Sequence, residues 1–485
     1  LFQALRHVGA DADFYVPNRL EEGYGLNSDA LQKLKTNGTQ LVITVDCGIT
    51  SFDEAAKARE LGIELIITDH HECKGELPAA AVVVHPRRPG SAETFGGLSG
   101  SGVAFKVAWL LCQKSSGGEK VEPRLREFLL DAVAWAALGL IADVVPLLDE
   151  NRIYVRHGLQ RLKNAPTPGI RALFETAKID PAAAFRAEDV AFRIAPRLNA
   201  AGRLGCARLV VDLLTTPSAE RARELARFLE DQNVQRQSLE RKILAEAREQ
   251  IAADDRHRGA AIVLAADSWH PGVIGIVAGR IADLYGRPTL VIARNGDISV
   301  GSGRSIAGFE LHVALEACSD CLIGHGGHAA AAGFRVAASR IDEFRNRFVD
   351  HAAKHFPDGA PAPRLTLDAE LPLSALTPGL LAQIDRLEPY GAHNGRPRFL
   401  AADLQIVGEP RKVGGGERHL SFRVRQGNTS MRAIAFGLAE RSAELLADEG
   451  RCCIAFTPRL NEWNGMRSVE MEVADFRPGN QAKLD

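Results

Sequence analysis

QLVITVDCGITSFDEAAKARELGIELIITDHHE, Gln40 to Glu72, decides how this chain folds. A short β-branched run, Gln40–Val45, is followed by a helical stretch, Phe52–Leu61, and a second apolar run, Glu64–Thr68. A third run, Ala81–Val84, precedes His85-Pro86. Short apolar strands alternating with helices predict a parallel, doubly wound sheet. In such a sheet ligands gather beyond the carboxyl ends of the strands. Asp46, after the first run, and Asp69-His70-His71, after the second, are therefore expected to open onto one edge. Two carboxylates and two imidazoles there form a candidate divalent-metal site, because Mn²⁺ accepts oxygen and nitrogen ligands together. The competing reading makes Asp46 an N-cap for the Phe52 helix and His70-His71 a surface pair. Two such clusters at equivalent strand ends favour the metal.

Outward from this stretch, Gly96–Gly102 opens a helix, and Leu125–Leu140 is a second, very apolar one. Asp143 closes that second helix in AVAWAALGLIADVVPL, where an unpaired charge is costly to bury. A salt bridge, a cap or a metal has to compensate it. Thr216-Pro217 reads as N-cap and first turn of a long charged helix reaching Ala253, with an apolar stripe at Leu225, Phe228, Leu229, Leu239, Ile243, Ala247 and Ile251. It would span roughly 55 Å, which suits a connector between domains. A second α/β unit follows: strand Ala260–Ala265, helix Gly272–Leu284, strands Thr289–Ala293 and Ser299–Gly303. Beyond the linker-like Phe356–Pro363 the pattern turns to β, with strands at 399–412, 419–426 and 429–436, a helix at 438–448, and strands at 451–460 and 466–476. Three strands, a helix and two strands is the order of an OB-type barrel, a frequent single-strand binder.

Composition bounds the class. With 485 residues, 46% apolar and 25% charged, the chain matches a globular protein of three or so domains and excludes disordered, collagenous and coiled-coil classes. The formal net charge of −2 means that any nucleic-acid surface must be local. No apolar run is long enough to span a bilayer; the nearest, Ala132–Ala142, stops at Asp143. Eight scattered cysteines do not make a disulfide scaffold and point to a reducing compartment. Leu1–Gly9 reads as the tail of an amphipathic helix without signal-peptide features, so the sequence reads as a fragment whose beginning is missing.

VDCG (Val45–Gly48), TDHHE (Thr68–Glu72) and GLIADVVPL (Gly139–Leu147) resemble the successive motifs of the DHH phosphoesterase family. PRLNAAGRLG (Pro196–Gly205), WHPGVIGIVAGRI (Trp269–Ile281), SGRS (Ser302–Ser305) and GHGGHAAAAGF (Gly324–Phe334) narrow the resemblance to the RecJ-type single-strand DNA exonucleases. It covers essentially the whole chain, with the motifs in order. The resemblance implies a DHH-type parallel α/β domain over residues 1–215, a connecting helix over 216–254, a second, DHHA1-type α/β domain over 255–357 and an OB-type barrel over 363–478. It also implies a cytoplasmic enzyme using two divalent cations, Mn²⁺ or Mg²⁺, to hydrolyse single-stranded DNA from the 5′ end. Asp46, His70, His71 and Asp143 match metal-ligand positions, and Asp69 is expected to orient or assist the histidines. The family's Asp-x-Asp-Gly motif falls ahead of the first residue here, so two more ligand aspartates are expected outside this sequence. Ser302 and Arg304 match a pocket for the 5′ end, and Arg19 of PNRLEEGYGL is expected to contribute from the other side. An arginine fork suits phosphate, and the glycines beside Ser302 would let backbone N–H groups approach it. The competing reading of SGRS is a tight hairpin turn. Arg197, Asn199, Arg203 and His328 match positions lining the strand path.

Cys318-x2-Cys321-x3-His325-x2-His328 has four metal-capable side chains, but zinc fingers use a longer loop between ligand pairs, and structural zinc is disfavoured. Arg396, Arg398, Arg411, Lys412, Arg418, Arg423 and Arg425 make one part of the barrel basic enough to track a single strand. His393 and Gly395 depart from the family pattern, so a different turn is expected there. The alternatives are a DHH enzyme for short RNA or cyclic dinucleotides, and a non-catalytic DNA-binding scaffold of the same ancestry. The resemblance implies a helicase and a single-strand DNA-binding protein as partners; nothing in the sequence demands more than a monomer, and no membrane is involved.

Overall fold

The computed structural model describes residues 1–485 except 19–21, 24, 74, 91–94, 165, 254–258, 358, 360–363, 464–465 and 480–485. The apolar runs of the opening stretch form β1 (Leu41–Val45), β2 (Glu64–Thr68) and β3 (Val82–Val84), a parallel sheet in the order β1-β2-β3. Its register places Val45 beside Thr68 and Thr68 beside Val84, so the three strands stop level with one another. Ile63, Leu65 and Ile67 pack with Leu31, Ala55 and Ala58 to hold the sheet to its helices. β1 pairs only with β2 among the described residues, and Leu41 and Val45 are consequently exposed rather than buried on both faces.

The long helix runs Ala219–Ala253. It starts later than Thr216-Pro217 suggests. The Ser218 hydroxyl accepts the Arg221 N–H at 3.2 Å and so caps the helix, while the Thr216 hydroxyl only accepts the N–H of Ser218. Ala222, Leu225, Ala226 and Leu229 face the helices Pro168–Thr176 and Ala195–Arg203. Ile243, Ala247 and Ile251 enter the core of the second α/β sheet beside Ile262, Leu264, Trp269 and Val277. Each fully buried Leu or Ile contributes roughly 1.5–3 kcal/mol. Phe228, in the expected stripe, is 37% exposed instead.

The second sheet is mixed: β4 (Ile262–Ala266), β5 (Thr289–Ala293), β6 (Ile298–Arg304), β7 (Leu322–Gly327) and β8 (Ala331–Ala337), in the order β4-β5-β6-β8-β7. GHGGHAAAAGF is therefore most of an antiparallel β7–β8 hairpin, with His328 at its turn. SGRS is no turn. Ser302 and Arg304 lie within β6, paired to Gly333 and Ala331.

Two compact units result, one of residues Leu1–Asp143 with His157–Pro363, the other of Val144–Arg156 with Arg364–Asp485. In the second, β10 (Phe399–Val413), β11 (His419–Gln426), β12 (Thr429–Ala435), β13 (Arg451–Trp463) and β14 (Met466–Pro478) close into a five-stranded barrel through a β10–β11 pairing; the two-residue strand β9 (Ala369–Glu370) adds to its edge. Leu420, Phe422 and Val424 point inward, as their alternation predicts. Val144–Arg156, which the sequence reading carries in 1–215, is tied to this unit. The Leu147 N–H donates to the Ala392 carbonyl at 2.9 Å, and Arg152 donates to the carbonyls of Leu387 and Glu388. In the expected divergent turn, His393 takes φ +56°. No helix among the described residues is long and apolar enough to cross a membrane.

Candidate metal centre and strand path

The level ends of β1, β2 and β3 bring Asp46, Asp69 and His85 to one edge. The backbone ladder continues one step beyond the first two strands, the Asp46 N–H donating to Thr68 and the Asp69 N–H to Val84. Asp46 then turns the chain with φ +65°, a left-handed conformation that Asp tolerates better than most residues. Ser51, not Asp46, is the N-cap of the Phe52–Glu60 helix, which removes the capping alternative. The Asp46 carboxylate lies against the N-terminus of the Gly100–Ser115 helix, and a Cβ at Gly100 would overlap its Oδ1. That is what the glycine-rich stretch supplies: backbone room for Asp46 beside a favourable helix dipole.

His70 Nε2 lies 3.0 Å from Asp46 Oδ1 and 3.4 Å from Asp143 Oδ2. The ligand atoms of Asp46, His70 and His71 all stand within 4.8 Å of one another. Donors around a single small cation stand about 3–4 Å apart, so this carboxylate–imidazole set fits a divalent metal. Asp143 is half-buried rather than the fully buried charge the sequence suggests. It follows the Pro123–Ala142 helix as its C-cap, and its side chain is 42% exposed. Desolvation pushes its carboxyl above the ordinary range, against the pull of His70.

Asp69 is the buried carboxylate. Its Oδ1 accepts the N–H groups of His70 (2.7 Å) and His71 (3.2 Å) and the His71 ring at Nδ1 (2.7 Å); Oδ2 accepts the Ile49 N–H at 3.0 Å. Burial pushes it up, but the His71 ring and the backbone donors outweigh burial and hold it at about 2. With Nδ1 committed to Asp69, His71 presents Nε2 to the cluster. The bond to Asp69 also raises the His71 imidazole above its usual value, against burial.

Two residues went unread in the sequence. His85 Nε2 donates to the His71 carbonyl at 2.7 Å, while its Nδ1 accepts the Arg87 N–H at 3.0 Å, and Arg87 donates to the His70 carbonyl at 2.7 Å. The signal was present. His85 follows β3 as Asp46 follows β1, so the strand-end rule reaches it too.

His328 stacks on His71, with ring centroids 6.2 Å apart and planes 11° apart, and its Nδ1 lies 3.2 Å from Glu72 Oε2. Ser302 and Arg304 lie side by side on β6, facing the Ile274–Tyr285 helix, where a Cβ on Gly275 would meet both. The glycines flanking Ser302 have a packing role. A Cβ at Gly301 would overlap the Phe334 ring, and one at Gly303 would meet Leu290 and Leu311. Arg304 donates to Gly303 O at 2.7 Å and meets Ser302 Oγ at 3.4 Å; burial pulls its guanidinium below the ordinary range. Arg203 Nη1 donates to Gly272 O at 3.1 Å, which sets the end of its helix against the loop leading to Gly275. Asn199 is exposed, whereas Arg197 turns inward to Glu230 at 2.5 Å. Arg19 lies outside the described residues.

The CxxC…HxxH residues do not gather. Cys318 and Cys321 are core residues, the Cys321 thiol contacting Arg347 and Glu343, while His325 faces Glu316 at 3.5 Å. On the barrel, Arg396 leaves the basic set: its side chain is 8% exposed and pairs with Asp385 and Glu388. Arg411, Lys412, Arg418, Arg423 and Arg425 are exposed.

Residues 1–137 match the DHH family N-terminal domain, 258–354 the DHHA1 domain and 367–475 the RecJ OB domain. The single-stranded-DNA-specific exonuclease RecJ of Bacillus subtilis (strain 168) is 36% identical over 98% of this chain and 58% of its own length. That of Dickeya dadantii (strain 3937) is 35% identical over 98% of this chain and 84% of its own. The crystal structure of RecJ in complex with Mn²⁺ from Thermus thermophilus superposes with a TM-score of 0.84 at 33% identity, covering 99% of this chain and 66% of that one. This chain thus spans less than two thirds of the Bacillus and Thermus relatives.

Proposed function

The chain belongs to the RecJ family of DHH proteins, and on that premise we propose that it is a metal-dependent exonuclease removing 5′-mononucleotides from single-stranded DNA in repair and recombination. The observation that carries this reading is the level ending of β1, β2 and β3, which places Asp46, His70 and His71 within 4.8 Å of one another. Asp46, His70, His71 and Asp143 would hold divalent cations, Mn²⁺ as in the Thermus relative or Mg²⁺. Such cations, when bound, activate water for attack on phosphorus and stabilise charge on the phosphoryl oxygens.

The chain's own residues do the rest. Asp69 fixes the His71 tautomer and ring; His85 and Arg87 hold the carbonyls of His71 and His70, so both imidazoles stay aimed at the edge. Arg304 and Ser302 offer a partly desolvated cation and a hydroxyl to a terminal 5′-phosphate, where charge-assisted hydrogen bonds are strong. Arg203 sets the loop beside them, and His328, stacked on His71, closes one side of the metal edge. Arg19 would complete the phosphate pocket, and Asn199 and Arg197 would meet the strand, Arg197 after leaving Glu230. We assign the metal edge to residues 1–215, the link to 216–254, the 5′-end pocket to 255–357 and a single-strand grip to the basic barrel face within 363–478. Eight free thiols suit a cytoplasmic protein. A monomer working with a helicase and a single-strand DNA-binding protein completes the reading.

The test uses the protein expressed from its whole reading frame, with Mn²⁺ and a 5′-phosphorylated single strand labelled at its 3′ end. Progressive shortening, lost in His71→Ala and absent on blunt duplex, is expected. Binding without shortening would leave a scaffold and withdraw the metal roles.

A further inference from the structure

Phe192 is the most exposed of the large apolar side chains described, at 79%, and it makes no ring contact among the described residues. It lies in an unusual backbone. Residues Val190–Ile194 form a π-helical stretch between the short helix Ala187–Asp189 and the helix Ala195–Arg203. Such stretches cost regular hydrogen bonding and concentrate at functional positions. Val190 and Ile194 are fully buried, and the segment packs against the Pro123–Ala142 helix, which ends at Asp143. Its neighbour Arg193 is occupied by Asp189 and by the carbonyls of Ala177 and Lys178, so no polar group covers the ring from there.

The placement says what would cover it. One helical run leads from Phe192, beside the helix that carries Asp143, to Arg203, bonded to the loop before Gly275, Ser302 and Arg304. Asn199, two turns beyond Phe192, is exposed as well. On the exonuclease reading, a strand held between the metal edge and the 5′-phosphate pocket would run along this element, and its bases would need an apolar platform that tolerates any sequence.

We propose that Phe192 is a base-stacking residue of the single-strand path, an inference that rests on the exonuclease reading above. A planar ring beside a phosphate-binding series would grip the base while the cations and arginines grip the backbone. The ring would also favour a single strand over a duplex, whose bases are already stacked on each other.

The test compares binding of two 3′-fluorescein-labelled, 5′-phosphorylated 12-mers, oligo-dT and its fully abasic analogue, by anisotropy in EDTA. Phe192→Ala is expected to weaken oligo-dT binding roughly 10-fold, the loss of about one stack, and to leave the abasic strand within about 2-fold. Phe192→Trp is expected to restore the oligo-dT affinity. Unchanged oligo-dT binding by Phe192→Ala, or an equal loss on both strands, would overturn the proposal while leaving the exonuclease reading intact. Failure of the unsubstituted protein to bind either strand would overturn both.

Discussion

The DHH sheet edge and the Cys318–His328 segment each offer four metal-capable side chains, and only one set converges. Asp46, His70, His71 and Asp143 come from three separate segments, yet His70 Nε2 stands within 3.4 Å of both aspartates. Cys318, Cys321, His325 and His328 are close neighbours in sequence, yet each turns to a different partner: the core, Arg347, Glu316 and Glu72. The difference is topological. A parallel register levels the strand ends and delivers whatever follows them to one place, whereas the second set is spread over a tight turn (Cys318, Cys321), a strand (His325) and the hairpin turn (His328). Sequence proximity is a weak guide to a ligand set, and strand-end position is a strong one.

Four substitutions can break or sharpen that contrast. His71→Ala removes a proposed ligand at the convergent edge and should lower Mn²⁺ affinity and the proposed exonuclease rate by more than the roughly 100-fold upper range expected for losing a group that only orients a ligand, read by calorimetry and initial rates. Asp69→Asn keeps the side chain's size but removes the charge that holds the His71 ring; about 10- to 100-fold in either quantity is expected. Arg304→Ala should act on the other end of the strand, lowering the preference for a 5′-phosphate over a 5′-hydroxyl terminus by roughly 10-fold without touching Mn²⁺ affinity. Cys318→Ala alters the non-convergent set. It should leave Mn²⁺ binding and rate within about 2-fold and cost only on the order of 1 kcal/mol of stability, as a small core deletion does. A larger effect of Cys318→Ala than of Asp69→Asn would invert the comparison.

Much of this was legible because it followed strand ends and alternation. The β-branched runs ending at Val45 and Thr68 located Asp46 and Asp69, and the Leu420–Arg425 alternation located a barrel strand. What stayed hidden depends on contacts between distant segments. Nothing local distinguishes the 8% exposed Arg396, paired to Asp385, from the exposed Arg423 and Arg425. The glycine of SGRS left a turn open as a reading, but Gly303 and its neighbour Gly301 lie within β6, where they admit Leu311 and Phe334. The Ala132–Leu147 run made Asp143 look buried, because hydropathy does not show that the helix ends there at the surface. Nothing in the local pattern sets Phe192 apart, and its 79% exposure on a π-helical turn is what marks it out.

The most direct test of the convergent edge is anomalous diffraction from a crystal of the protein soaked in MnCl₂. A manganese peak is expected within about 2.0–2.3 Å of donor atoms from Asp46, His70 or His71, with His71 ligating through Nε2. A peak among Cys318, Cys321 and His325, with none at the strand-end cluster, would contradict that expectation.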